Sequence, residues 1–405
     1  MRYACEQLLD ERTLNRLKQC RGVITAGLSA AMCNVISRLS DAGVESIIAY
    51  DPLFIANPHV SAFKGAKTTA SLQDYDQRHY FFIICSFHEA DANRLCALLR
   101  EAEAYGNLLR IPASREIRLE ASGICNLHCR SCQCGNYDPS YFSFGGRGFM
   151  DSELCNRLLD KLCVDYPDNM GIFYYIFGEP LLNPKLPELI VAAKAHGLSV
   201  VISSNFSLSC DLKALLAAKP DILKISVSGF SQSVYAEHHN GGNIELVHKN
   251  MERLHELLSA YSDTAVVVGY HVYTDNAGEE AELTRELCKK YGFLFAPVNA
   301  IYNNPFKRMG ISEFTARDLE FLKKHYPDYR AQLAFEERHV NEQPVCRNLR
   351  DKLFIDYDGR AMLCELLHRD LVYKDYTEAS LAELDAWRST HPFCSVCRSH
   401  GMALV

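Results

Sequence analysis

Short apolar runs alternate with amphipathic helical stretches along most of the chain. The first unit, residues 22–111, opens with strand, glycine turn, helix and strand, in the segment GVITAGLSAAMCNVISRLSDAGVESIIAYDP. A near-continuous apolar strand, HYFFIIC, then precedes a further helix and the short strand LLRI. Strands that are apolar on both faces and are joined by helices form parallel sheets covered on both sides. The pattern therefore predicts a small parallel α/β unit at this end of the chain.

The alternation of strand and helix begins again at residue 115 and gives six β/α units. The predicted strands are REIRLEAS, GIFYYIFGEP, SVVISSNF, DILKISVSGF, AVVVGYHVY and FLFAPVN. Six units are too few for a closed eight-stranded barrel, and right-handed crossovers would curl them into an open one. We therefore predict an α/β fold, a partial (β/α)6 TIM barrel preceded by a small Rossmann-like domain. Sites in such barrels form at the C-terminal ends of the strands.

The last part of the chain changes character. Residues 301–340 are charged and helical, whereas residues 346–405 carry cysteines and short strands. The segment DKLFIDYDGRAMLCEL predicts a hairpin that turns at Asp358 and Gly359. The expected domains are a Rossmann-like unit over 1–112, a barrel over 113–300 and a cysteine-rich domain over 301–405.

Composition narrows the class of protein. The chain has 405 residues, of which 48% are hydrophobic and 23% charged, so a sizeable core is available. Its formal charge of −7 lacks the basic excess of a nucleic-acid-binding protein. No apolar run approaches the length of a membrane span, and the first residues lack the apolar core of a secretory signal. We expect a cytoplasmic protein with no membrane span and no nucleic-acid partner.

Cysteine usage is unusual for a chain of this kind. The 17 cysteines are an odd number, and a reducing compartment disfavours disulfides. Most of those that occur singly are expected to be small buried hydrophobes. Two groups do not fit that description. They are Cys125, Cys129 and Cys132, and then Cys346, Cys364, Cys394 and Cys397.

The first group follows a predicted strand with the spacing C-x3-C-x2-C. Structural zinc usually takes two paired C-x2-C knuckles, so this spacing does not favour zinc. Three thiolates on one short loop can hold three irons of a [4Fe–4S] cluster and leave the fourth iron open. A nearby fourth thiol, Cys134, is interpreted as a bystander.

The segment CNLHCRSC, residues 125–132, resembles the signature of the radical S-adenosylmethionine (SAM) superfamily. That resemblance implies that the open iron chelates the amino and carboxylate groups of SAM. An electron from the cluster then cleaves SAM to methionine and a 5′-deoxyadenosyl radical, which abstracts a hydrogen from the substrate. The chain departs from the signature at Ser131, where the family usually has an aromatic residue near the adenine.

Further strand ends extend the resemblance. Gly178 and Glu179 stand in a Gly-Glu-Pro segment similar to the family's GGEP motif, with Phe177 in place of the first glycine. The family's motif meets the amino group of SAM, and a carboxylate suits an ammonium. Ser203 and Asn205 occupy the place of a polar turn near the SAM carboxylate and ribose.

The next two strand ends supply the remaining candidates. Ser226 and Ser228 end the fourth barrel strand and are expected to face the ribose or the substrate. His271 and Tyr273 end the fifth strand and are the candidate catalytic residues, with a half-buried histidine and a core tyrosine as the alternative.

The second cysteine group has the spacing C-x17-C, then C-x2-C, and resembles the SPASM/twitch extensions of the same superfamily. Four cysteines match the twitch version, which carries one auxiliary [4Fe–4S] cluster. A cluster with four protein thiolates has no open iron, so its implied role is electron transfer. Zinc on the final C-x2-C is the alternative.

The substrate expected from these resemblances is a carbohydrate. The cysteine pattern is similar to that of twitch-bearing aminocyclitol dehydrogenases, and the N-terminal unit resembles those attached to enzymes of surface-polysaccharide sugars. Asp51 could bond a ribose, and the turn at Gly27 could approach phosphates. We therefore expect oxidation or epimerisation at a carbinol carbon of a sugar, cyclitol or nucleotide-linked sugar. Epimerisation would need a hydrogen donor, for which Cys210 and Cys288 are candidates.

Two alternatives remain open. One is a radical SAM peptide maturase that installs crosslinks or thioethers in a ribosomal precursor. The other is an iron–sulfur or zinc protein without catalytic activity. The resemblance also implies a reductant, such as flavodoxin or ferredoxin.

Overall fold

The computed structural model describes most of the chain. The described residues are 9–72, 74–76, 78–86, 89–101, 107–111, 114–132, 148–261, 264–302, 304, 307, 313–329, 346–365 and 372–399. Cys134 and the start of the chain lie outside them.

Residues 22–110 form a six-stranded sheet in the order β3-β4-β2-β1-β5-β6. Its neighbours pair in parallel, except β3 with β4. Every residue of the central strand is buried, as its apolar sequence predicts. The strands are β1 Gly22–Ala26, β2 Ile47–Tyr50, β3 Ala62–Phe63, β4 Ala66–Thr69, β5 Tyr80–Ile84 and β6 Leu108–Arg110. The helices are α1 Glu11–Lys18, α2 Ala30–Asp41, α3 Pro52–Ala56 and α4 Glu89–Glu101.

A nine-stranded sheet follows, in the order β12-β11-β10-β9-β8-β7-β13-β14-β15. Strands β7 to β12 are parallel and adjacent in chain order, which confirms the predicted partial barrel. These strands are β7 Glu116–Leu119, β8 Gly171–Phe173, β9 Ser199–Ser204, β10 Ile222–Val227, β11 Ala265–Val272 and β12 Leu294–Asn299. The helices between them are α5 Ser152–Asp165, α6 Leu186–Ala195, α7 Leu212–Ala217, α8 Gln232–His238, α9 Ile244–Leu258 and α10 Glu279–Tyr291.

Alternation within the barrel strands separates core from cavity. In β10, Leu223, Ile225 and Val227 pack in the main hydrophobic core with the helices. Ser226, between them, lines a cavity inside the barrel. A period of two thus turns apolar side chains outward to the helices and polar ones inward.

The N-terminal unit covers the end of the barrel where its strands begin. Helix α2 shares one apolar cluster with Met170, Val201 and Ile222. The Asn34 amide donates hydrogen bonds to the carbonyl oxygens of Met170 at 3.2 Å and Gly197 at 2.8 Å. On the other side, the side chain of Asn57 bonds both backbone groups of Phe295. A site can therefore form at the opposite end of the barrel, where the strands end.

The turn of the N-terminal unit differs from the expected nucleotide site. Both carboxylate oxygens of Asp51 accept backbone hydrogen bonds, from Leu28 at 2.8 Å and Leu53 at 2.8 Å. Leu95 lies against Gly27, at 2.9 Å from the place a Cβ would take. The residues expected to meet a ribose and phosphates therefore close their own turn.

The C-terminal part extends the barrel sheet. β13 pairs in parallel with β7, and the predicted hairpin at Gly359 is confirmed by the antiparallel pairing of β13 with β14. The elements are α11 Ala316–His325, α12 Arg347–Asp351, β13 Lys352–Ile355, β14 Arg360–Met362, β15 Val372–Asp375, α13 Leu381–Thr390 and α14 Pro392–Ser399. None of the helices in the described part of the chain has the length and apolarity needed to span a membrane.

Candidate active site

A cavity of about 330 Å³ opens at the C-terminal ends of the barrel strands. All of the cluster ligands, SAM contacts and candidate catalytic residues that the sequence predicted in the barrel line it. They are Cys125, Cys129, Cys132, Gly178, Glu179, Ser203, Asn205, Ser226, Ser228, His271 and Tyr273.

The three thiols stand on the loop that follows β7. The amide of Cys132 donates to the carbonyl of Cys129 at 3.1 Å, which closes a tight turn. Burial raises the pKa of the Cys129 thiol, and the charges of Cys132 and Cys125 raise it further. Thiols so close together repel one another when ionised, and a bound metal removes that cost by neutralising them. The donor set therefore fits an iron–sulfur cluster.

Gly178 holds the β8 loop against the cysteine loop. A Cβ at this position would lie 1.8 Å from the carbonyl oxygen of Ser122 and 2.8 Å from that of Ile124. The next amide, of Glu179, donates to the same Ile124 carbonyl at 2.8 Å. Only glycine allows this approach, so the Gly-Glu-Pro segment is fixed relative to the thiols.

Glu179 is a buried carboxylate at the cavity wall, with 2% of its surface exposed. Burial raises the pKa of Glu179 to about 7, although the amides of Asn205 and Leu181 donate to it at 2.8 Å and 3.0 Å and act in the opposite direction. A cationic group in the cavity would favour the ionised form. The site therefore suits an ammonium ligand.

Asn205 connects the third strand end to the cysteine loop. Its amide nitrogen lies 2.9 Å from the side-chain oxygen of Asn126 and 3.8 Å from the sulfur of Cys125. The hydroxyl of Ser228, on the fourth strand end, lies 3.5 Å from Nδ1 of His271. Polar groups of four strands thus converge on one cavity.

His271 and Tyr273 both face this cavity, and both are neutral. Burial, together with the charges of Lys224 and His238, lowers the pKa of His271 to about 4. Burial raises the pKa of Tyr273 to about 12. The phenol oxygen of Tyr273 lies 3.0 Å from the hydroxyl of Ser131, within hydrogen-bond distance. Ser131 occupies the position where the family usually has an aromatic residue, and here it contacts an aromatic residue at the end of another strand.

Sequence reasoning missed two histidines of the cavity wall, His238 and His239. The ring of His238 stacks on Tyr273 with centroids 3.7 Å apart. They stand in the segment YAEHHN at the end of α8, where no motif or spacing in the sequence marked them. Neither Cys210 nor Cys288, the candidate hydrogen donors for an epimerisation, lines the cavity, and Cys288 is a residue of α10 that is buried in the main core.

The four cysteines of the second group also lie near one another. Burial raises the pKa of Cys397 to about 12, and the charges of Cys364, Cys346 and Cys394 add to it, so the four side chains are neighbours. The amide of Asn348 donates to the sulfur of Cys364 at 3.3 Å. The strand before this sulfur reaches the active site, because Met362 packs with Phe354 and with Phe177 of the cavity wall.

Fold and site together define an α/β partial-barrel protein with a thiol-lined cavity. The model of the Radical SAM superfamily matches residues 119–287. These residues form a radical SAM domain, and domains of this superfamily bind a [4Fe–4S] cluster and SAM.

Relatives with curated names match parts of the chain. The mycofactocin maturase MftC of Mycobacterium ulcerans is 27% identical over 179 residues, which cover 43% of this chain and 44% of MftC. A protein of Pyrococcus furiosus that modifies the cofactor of a tungsten-containing aldehyde ferredoxin oxidoreductase is 28% identical over 111 residues, 27% of this chain and 29% of its own. The chain thus matches less than half the length of these relatives.

Among solved structures, Streptococcus suis SuiB bound to S-adenosylmethionine is similar. The match covers 76% of this chain and 72% of the SuiB chain, with 17% sequence identity and a TM-score of 0.47.

Proposed function

We propose that the chain is a radical SAM enzyme that modifies a ribosomally made precursor peptide. The observation that carries the radical SAM part is the placement of three thiols and a buried carboxylate around one cavity. The peptide part is supported by the similarity to a maturase, over 43% of the chain. This reading replaces the sugar substrate as the first candidate.

Each part of the cavity has a role in this proposal. Cys125, Cys129 and Cys132 hold the cluster, while Glu179 and Asn205 hold SAM. When bound, the cluster and SAM supply the radical that abstracts a hydrogen atom. The chain itself orients the reactants, and the neutral His271 and Tyr273 offer hydrogen bonds without adding charge to the cavity.

The second cysteine group is proposed to hold one auxiliary [4Fe–4S] cluster. Four neighbouring thiols can ligate every iron, so this cluster would transfer electrons. Electrons would pass between this cluster and the active site at the contact of Phe177 with Phe354 of β13 and Met362 of β14. We further propose that a flavodoxin or ferredoxin supplies the electron for SAM cleavage.

Formation of 5′-deoxyadenosine tests the proposal. The full chain is reconstituted with iron and sulfide without oxygen, then given SAM and dithionite. We expect 5′-deoxyadenosine from the wild type and none from the Cys125→Ala/Cys129→Ala/Cys132→Ala variant. Cys20→Ser, at a half-buried thiol of the N-terminal unit, is the control and should retain the wild-type yield. A wild-type protein that binds iron and yields no 5′-deoxyadenosine would exclude the function.

A sugar or nucleotide-linked sugar remains the second candidate, since Ser203, Ser226, Ser228 and His271 give the cavity a hydroxyl and imidazole wall. Mass spectrometry distinguishes the two. A mass change in a precursor peptide encoded beside the gene supports the first candidate, whereas conversion of nucleotide sugars with the peptide unchanged supports the second.

A further inference from the structure

A third group of possible metal ligands lies beside the cavity, apart from both cysteine groups. His238 ends α8, Asp275 lies in the loop after β11, and His325 ends α11. Their ligand atoms all lie within 4.8 Å of one another. The two imidazoles are almost completely buried, at 2% and 1% exposure, whereas the Asp275 side chain is 26% exposed and opens the group to solvent.

The distances suit a shared cation. Nε2 of His238 lies 3.2 Å from one carboxylate oxygen of Asp275 and 3.1 Å from the other, so it faces the middle of the carboxylate. The first of these oxygens is also 3.0 Å from Nδ1 of His325. Two imidazole nitrogens therefore approach the same carboxylate, and all three ligand atoms lie close enough together to share one cation. Imidazole and carboxylate are ordinary ligands of zinc.

The surroundings of His325 match those of a metal-bound histidine. Such a histidine usually donates its other ring N–H to a carboxylate, which fixes the ring. The other nitrogen of His325, Nε2, lies 3.4 Å from a carboxylate oxygen of Glu237.

We propose that His238, Asp275 and His325 bind a divalent transition-metal cation, with zinc as the ion that best suits this ligand set. A water molecule completes the coordination on the exposed side of Asp275. The ion joins α8 and α11 to the end of the fifth barrel strand, behind the cavity wall. This inference is independent of the proposed peptide substrate.

The ion would also determine which ring nitrogen of His238, in the cavity wall, carries the proton. Nδ1 of His238 has no hydrogen-bond partner among the described residues, and the ring stacks on Tyr273. With a metal at Nε2, the neutral ring carries its proton on Nδ1, which becomes a hydrogen-bond donor. With hydrogen bonds to Asp275 alone, Nε2 carries the proton and Nδ1 accepts.

Zinc binding tests the site. The full chain is first loaded with iron and sulfide so that the cysteines are occupied, then equilibrated with buffered Zn²⁺, and bound metal is measured by mass spectrometry. We expect one zinc equivalent in the wild type and its loss in Asp275→Asn and His325→Gln. The control is His196→Gln, since His196 and Asp160 form a histidine–carboxylate pair at 3.0 Å that no third ligand joins among the described residues. It should keep the zinc.

Anomalous diffraction from wild-type crystals soaked in Zn²⁺ gives a second measurement that does not depend on the folding of variants. A zinc peak between the two imidazoles and Asp275 supports the site. Equal zinc in the wild type and Asp275→Asn, or a map without that peak, would show that hydrogen bonds alone hold the three residues. Neither outcome depends on 5′-deoxyadenosine formation, so this inference and the proposed function can fail separately.

Discussion

At the scale of single residues, Glu179 gives the clearest prediction for SAM binding. Glu179→Gln removes a buried charge that would face the SAM ammonium. Losing a charged hydrogen bond costs about 1.5–3 kcal/mol, so the Kd for SAM should rise by roughly 10- to 100-fold. Equilibrium dialysis with the cluster-loaded protein measures this.

The raised pKa of Glu179 adds a pH dependence to the same measurement. Since that pKa is about 7, the carboxyl becomes neutral as the pH falls through 7 and no longer attracts a cation. SAM affinity in the wild type should weaken from pH 8 to pH 6, and this slope should be absent in Glu179→Gln. Equal slopes in both proteins would contradict the assignment.

Gly178 is a position where nearby backbone atoms leave no room for a side chain. Gly178→Ala places a methyl group 1.8 Å from the Ser122 carbonyl, and backbone atoms cannot move aside cheaply. We expect a loss of stability of at least about 1–3 kcal/mol and a lower iron content. Urea unfolding and iron analysis measure both. Gly278→Ala is the control, because nothing lies within 4 Å of its added carbon, and a similar loss in both variants would argue against this contact.

The sequence predicted cavity residues that stand in a motif or at the end of a barrel strand, and it missed His238 and His239. Cys125, Gly178 and Glu179 stand at fixed spacings after strands, so their convergence followed from the barrel topology. His238 reaches the wall from a helix end, and no spacing predicts that. The bond between Ser131 and Tyr273 joins residues 142 positions apart, a contact that only the folded chain reveals.

At the scale of elements, helix α2 packs against the end of the barrel where its strands begin. Asn34→Ala would leave the carbonyls of Met170 and Gly197 without their side-chain donor, at a cost of about 1–3 kcal/mol. We expect a lower urea midpoint with 5′-deoxyadenosine formation retained, because the active site lies at the other end of the strands. Asn156→Ala is the matched control, since its amide bonds an exposed helix carbonyl. A loss of SAM cleavage with unchanged stability would contradict this role.

Strands with strong apolar runs were predictable, and pairings between distant segments were not. The six barrel strands are largely apolar runs bounded by turns, which the pattern identifies. β3, Ala62–Phe63, and β4, Ala66–Thr69, are not among the predicted strands, because such short segments carry little pattern. The parallel pairing of β13 with β7 joins segments more than 200 residues apart, and local sequence cannot specify it.

At the scale of the whole molecule, the two cysteine groups belong to one continuous sheet. β7 leads to the first group, and its neighbour β13 continues through the hairpin to Cys364. Arg118 of β7 bonds Glu365, the residue after Cys364, at 2.9 Å and lies over the ring of Tyr175 in the cavity wall. A rigid connection of this kind would hold two clusters at a fixed separation for electron transfer.

Iron content separates the contributions of the two groups. A wild-type chain with two [4Fe–4S] clusters holds about eight irons, and Cys394→Ala/Cys397→Ala should hold about four. That variant should still cleave SAM with dithionite, since the first cluster is intact, and lose turnover of the peptide if the second cluster carries the substrate electron. The triple variant at Cys125, Cys129 and Cys132 should also hold about four irons, without SAM cleavage. About four irons plus one zinc in the wild type, with the zinc lost in Cys394→Ala/Cys397→Ala, would instead assign the second group to zinc.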